Sequence, residues 1–165
     1  MIRKWIVAAA IACAATAPAL AKDSLGTFDL WAAFRDPQVP RCYAIASPAD
    51  VRGNAKYRAY ASIGYWPKRR INGQVHFRLS RDISKNEKSA ITLRLGARIF
   101  RLTGGGGDAW ATDKRMDAAI TAALRSATTM RIVATDRQGN TIRDTYDLRG
   151  VATAMDAAAL GCARL

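Results

Sequence analysis

The amino-acid sequence predicts a mainly-β fold with two helices: a single-domain antiparallel β-sandwich or strongly bent sheet, closed by a C-terminal helix. Three observations predict it. Apolar and polar residues alternate in several short segments, clusters of Gly, Pro and Asn stand between those segments, and only two stretches carry apolar residues at helical spacing. Adjacent hairpins without alternating strand–helix–strand units favour an antiparallel sheet over a parallel one.

Taken in order, Phe28 to Phe34 reads as a first strand or a short helical turn ending at Asp36-Pro37 and Pro40. Arg41 to Ala46 reads as a strand carrying Cys42, with Tyr43 and Ile45 on its other face. Lys56 to Trp66, rich in Tyr and Ile, follows the breaks at Pro48 and Gly53, and Pro67 to Arg70 with Asn72-Gly73 supplies the next turn. From Gln74 to Arg81, Val75, Phe77 and Leu79 alternate with Gln74, His76, Arg78 and Ser80, so the first set faces inward. Ile91, Leu93 and Leu95 repeat the pattern against Thr92 and Arg94, Arg98 to Thr103 makes a further strand, and Gly104 to Gly107 reads as a flexible hairpin loop. Met130, Ile132 and Ala134 alternate with Arg131, Val133 and Thr135. Gln138-Gly139-Asn140 then turns the chain into Thr141 to Leu148. In all, the pattern predicts about seven to nine strands.

The helices are Met116 to Leu124, with Asp113 placed to cap it, and the segment after Gly150, where Val151, Met155, Ala158 and Cys162 share one face. That face carries Cys162 toward the core. An even pair of cysteines in an oxidising compartment reads as a disulfide, so Cys42 and Cys162 are expected to be bonded, which this face supports; two buried free thiols are the alternative. In the chain-entropy account a bridge closing a loop of this length stabilises by about 4 to 5 kcal/mol.

Residues 1–21 read as a cleavable secretory signal peptide: Arg3 and Lys4, an uncharged apolar run from Ile6 to Ala17, and a small-x-small end at Ala19-Leu20-Ala21. The working chain is then residues 22–165, one β-rich domain. The apolar run falls short of the roughly 20 residues that span a bilayer, and no transmembrane helix is expected. A lipid anchor on Cys13 is the alternative, although Ala10 stands where such sites prefer Leu. The expected location is the periplasm or the medium.

The whole chain carries 26 Lys and Arg against 13 Asp and Glu, a net charge of +13. Removing residues 1–21 takes away Arg3 and Lys4 and no acidic residue, leaving about +11. That balance points to an anionic partner, and an exported protein meets envelope polyanions more often than nucleic acid. Arg78, Arg94 and Arg131 occupy outward positions on three expected strands, and Lys68, Arg69 and Arg70 lie in a turn. If the strands are neighbours, these six form a basic face that grips phosphates or sulfates through forked hydrogen bonds. Trp110 is a candidate aromatic contact. A single histidine, His76, and the lack of metal-ligand spacing exclude a recognisable zinc site, no Gly-x-Ser-x-Gly elbow exists, and Gly104 to Gly107 lacks the Gly-Lys-Ser/Thr of a phosphate loop. No cofactor is expected.

The run Asp117-Ala118-Ala119-Ile120-Thr121-Ala122-Ala123-Leu124 and the run Tyr146-Asp147-Leu148-Arg149-Gly150, with the hairpin at Gly139 between them, resemble the invasion-associated locus B family of small exported alphaproteobacterial proteins. The resemblance covers residues 90–160. It implies a β-rich fold, an envelope location and an association with host-cell invasion, and it carries over no catalytic residue. The family has further cysteines in its central region, including one before the first helix. Gly104 to Lys114 here has none, a departure that puts shared disulfide chemistry in doubt. The expectation is an exported, non-enzymatic envelope protein that binds a macromolecular or anionic partner. An enzyme acting on envelope glycans or lipids, which needs paired carboxylates in a cleft, and a periplasmic inhibitor or assembly factor are the alternatives.

Overall fold

The computed structural model describes residues 22–51, 54–84 and 90–163. The expected signal peptide, with Cys13, lies outside them. In chain order the elements are β1 (Asp23–Phe28), β2 (Trp31–Asp36), β3 (Arg41–Ala46), β4 (Asp50–Val51), β5 (Tyr60–Trp66), β6 (Ile71–Arg78), β7 (Ile91–Leu95), β8 (Arg98–Gly105), β9 (Asp108–Trp110), α1 (Lys114–Leu124), β10 (Thr129–Thr135), β11 (Thr141–Asp147) and α2 (Val151–Cys162). The strands form one antiparallel sheet in the order β1-β2-β3-β5-β6-β9-β8-β7-β10-β11-β4, open at both ends.

Its bend lies at β8. Residues Arg98 to Leu102 pair with β7, whereas Thr103 to Gly105 pair with β9, so one strand serves both halves of the sheet. The inward-alternating residues of the two halves meet in a single core that includes Trp31, Ile63, Phe77, Leu93, Ile132 and Tyr146. Trp31 on β2 donates from Nε1 to the Asp147 carbonyl on β11 at 3.0 Å, which ties the halves across the core. A second tie is polar. Fully buried Asp144 accepts from Ser80 N at 2.9 Å and from Ser80 Oγ at 2.6 Å.

Both helices follow their apolar stripes. Asp113 caps α1 by accepting from Met116 N at 2.7 Å, and Ile120, Ala123 and Leu124 are buried. Asp117 accepts from Val75 N at 2.8 Å and pins the helix to β6. Helix α2 buries Val151, Ala154, Met155, Ala158 and Cys162 against β1, β2, β3 and β5. Cys42 and Cys162 are bonded, with Cα atoms 5.6 Å apart, and both are buried.

Three local expectations are corrected. Phe28 to Phe34 is neither one strand nor a helical turn: β1 and β2 form a hairpin around Asp29, whose short polar side chain tolerates the left-handed φ of 50°. Asn72-Gly73 is no turn. The turn is the 3-10 segment Pro67–Arg69, and Gly73 (φ 82°) is the extra residue of a bulge inside β6, since Gly64 pairs with Gln74 while Tyr65 pairs with Asn72. Gly104 and Gly105 belong to β8, leaving only Gly106-Gly107 as the turn. A Cβ on Gly104 would lie 2.3 Å from the Asp108 carbonyl oxygen, so the strands close tightly only because this position is bare.

Candidate functional site

The outer face of the sheet beyond the bend is set by register. Across β8, β7, β10 and β11 runs the row Ile99, Arg94, Arg131, Thr145, and beside it the row Arg101, Thr92, Val133, Arg143. Arg94 and Arg131 are direct cross-strand partners. Arg101 is the diagonal neighbour of Arg94, and Arg143 that of Arg131. Diagonal neighbours in an antiparallel pair stand about 7–8 Å apart. Four guanidinium groups thus form one chain across four strands, with Ile99 exposed at its margin.

Electrostatics makes this arrangement unfavourable for the isolated chain, because like charges directly opposite one another destabilise a sheet. Among the described residues none of the four arginines has a carboxylate partner. Two carboxylates stand near: Asp147 is taken by Arg149 at 3.0 Å, and Asp50, opposite Thr145 on β4, also has a partner of its own. The Arg143 Nε is buried and without a hydrogen-bond partner. Such a cluster is chemically suited to phosphate, sulfate or carboxylate groups, which supply the missing acceptors.

The structure unites only part of the predicted basic face. Arg94 and Arg131 come together. Arg78 does not join them, because β9, β8 and β7 separate β6 from β10. Its guanidinium donates to Asp108 at 2.6 Å and lies 4.0 Å over the Tyr57 ring. Lys68, Arg69 and Arg70 are exposed at the far end of β6, roughly 23 Å from Arg78 at about 3.3 Å per strand residue. Arg101 and Arg143 were not foreseen as members. Their outward phase was readable in the strands Arg98–Thr103 and Thr141–Leu148, but their neighbours were not.

Trp110 is 37% exposed and stacks on His76, with ring centres 5.2 Å apart. His76 Nε2 is 2.9 Å from Asp108 Oδ1, so His76 and Arg78 share one carboxylate.

A cleft lined by Lys56, Arg81, Asp82 and Asp136 holds two carboxylates. Hydrogen bonds from Lys56 (2.8 Å) and the Tyr57 hydroxyl (2.9 Å) lower the Asp82 carboxyl below its usual range. Burial pushes Asp136 up, but hydrogen bonds from Asn140 and Gln138 and the Arg81 charge outweigh it and leave the carboxyl lowered. Both groups are therefore held as carboxylates near neutral pH, and neither is set up as a general acid. No group of three potential metal ligands occurs among the described residues, and no helix among them is long and apolar enough to cross a membrane.

No protein-family model and no curated protein matches the chain. Among solved structures, the crystal structure of invasion associated protein b from Bartonella henselae matches with a TM-score of 0.53 and 16% identity, covering 82% of this chain and 96% of that one. The two chains share a fold. At this identity the likeness extends to the bent sheet and its helices, as the resemblance in residues 90–160 implied, and leaves the side chains of the arginine face to be judged on their own chemistry.

Proposed function

We propose that this is an exported, non-enzymatic protein that binds an anionic macromolecular partner through Arg94, Arg101, Arg131 and Arg143. The observation that carries the reading is the direct opposition of Arg94 and Arg131, extended diagonally by Arg101 and Arg143, with no carboxylate partner among the described residues. Placing like charges together costs stability, and a bound polyanion offsets that cost. Lys68, Arg69 and Arg70 offer a second basic contact at the far end of the sheet, suited to a long partner and not to a small ion. The Cys42–Cys162 bond supports an oxidising compartment outside the cytoplasm. The protein that shares the fold is named for invasion, which supports a host-facing or envelope role.

The test is binding of fluorescent heparin, which presents sulfates, and of lipopolysaccharide, which presents phosphates, at physiological salt. The double variant Arg94→Ala/Arg131→Ala is expected to lose most of the affinity and to show a shallower salt dependence. Equal affinity in the variant and the parent overturns the assignment.

A further inference from the structure

The outer face on the other side of the bend has a different chemistry. Here the outward positions of β3, β5, β6 and β9 carry aromatic rings where a solvated sheet face carries charge: Tyr43, Tyr60, Trp66, His76 and Trp110. Among the described residues no helix covers them, because α1 and α2 pack on the inner face. They border a groove of about 430 Å³, within the roughly 300–1,000 Å³ usual for small-ligand sites.

The rings are held in place before any ligand arrives. Tyr60 meets His76 edge-on at 5.5 Å, His76 stacks on Trp110, and Asp108 fixes the histidine while Arg78 fixes Asp108. The Cζ3–Cη2 edge of the Trp66 indole lies against Gly64, where an added Cβ would sit 2.3 Å from the ring. Position 64 is thus bare so that a ring can serve as groove wall.

Between the rings stand Ser62 and Gln74. Among the described residues the side chains of Ser62, Gln74, Trp66 and Trp110 make no hydrogen bond. At one end Arg41 and Lys22 lie 5.0 and 5.8 Å from the Tyr43 ring and share a single carboxylate, Asp36, at 3.6 and 4.0 Å. That end keeps a net positive charge.

We propose that this groove binds a short acidic oligosaccharide. Flat aromatic faces receive the apolar faces of pyranose rings, the unpaired hydroxyl, amide and indole groups meet sugar hydroxyls, and Arg41 with Lys22 receives a sugar carboxylate. A nucleic acid strand uses similar rings but needs cations that track its backbone. Here the cations that line the groove, Lys22 and Arg41, stand at one end only, and at the other end Arg78 is paired with the Asp108 carboxylate beside the His76–Trp110 stack.

The experiment titrates the full chain with 3′-sialyllactose, tri-galacturonate, neutral lactose and an oligouridine, following tryptophan fluorescence and ligand saturation-transfer NMR. At least one acidic sugar is expected to bind more tightly than lactose. Trp110→Ala and Gln74→Ala, both on the solvent side of the sheet, are each expected to weaken it, by about tenfold for the lost stacking ring. Arg94→Ala/Arg131→Ala leaves this binding intact, which separates it from the arginine face. The proposal is overturned if neither acidic sugar binds, if lactose binds equally well, if oligouridine binds as tightly through the same residues, or if Trp110→Ala and Gln74→Ala both leave binding unchanged.

Discussion

Reduction of the Cys42–Cys162 bond should remove a large part of the protein's stability. The half-cystines are 120 residues apart in sequence, and the bond joins the last turn of α2 to β3. In the chain-entropy account, a loop of that length restricts the unfolded chain by about 16 cal/mol/K, or about 5 kcal/mol at 25 °C. Net stability of a small domain is itself only about 5–15 kcal/mol, so the bond is decisive on this reckoning. The assay is urea unfolding of the oxidised and the reduced protein, followed by fluorescence of buried Trp31 and the other tryptophans. With a slope of about 2 kcal/mol per molar urea, the midpoint should fall by roughly 2–3 M on reduction. The variant Cys42→Ala/Cys162→Ala should behave like the reduced chain or worse, since both sulfurs are buried. A midpoint that moves by less than about 0.5 M at unchanged slope would refute the reasoning. It would mean that α2 already holds the reduced unfolded chain close to its native end-to-end distance.

Arg131→Thr should stabilise the fold by about 0.2–1 kcal/mol while weakening polyanion binding, because it removes one of two directly opposed like charges and installs a good strand former. Thermal unfolding and heparin affinity measured together check this, and a destabilised variant contradicts it. Asp144→Asn should cost about 1–3 kcal/mol, because Ser80 donates to both carboxylate oxygens and an amide offers only one acceptor. Burial raises the Asp144 carboxyl against the opposing Ser80 hydrogen bonds. The folded protein then holds this proton more tightly than the unfolded chain does. Its contribution is largest below the unfolded value of about 4 and is lost as pH rises through the folded value. The stability gap between parent and variant should therefore narrow from acid to neutral pH, and a gap that widens would sink the argument. Asp156→Ala, which breaks the two exposed hydrogen bonds from Arg125, should cost less than about 1 kcal/mol by urea unfolding.

Much of the fold is local and therefore readable along the chain. The β10–β11 hairpin shows its period of two and its Gly139 turn, the stripes of α1 and α2 show helical spacing, and Asp113 marks the start of α1. The first strand is not legible along the chain, because Asp23–Phe28 carries no apolar alternation and depends on pairing with β2. The bulge at Gly73 is not legible either, because Asn-Gly is also a turn signal, and only the partner strand β5 decides between the two.

By itself the sequence determined which face of each strand an arginine occupies, since side-chain direction follows from the alternation alone. It also placed Cys42 and Cys162 far apart along the chain, where a bond between them closes the domain. What the tertiary structure decided is which strands lie side by side. Arg94 and Arg131 are 37 positions apart in the numbering, yet directly opposed, because β8 bends and brings β7 between itself and β10. Arg78, with the same outward phase, ended three strands away beside Asp108. The reason is physical. Facing is set by each residue's own backbone, whereas adjacency is set by how the two apolar faces fold onto each other, a property of the whole core.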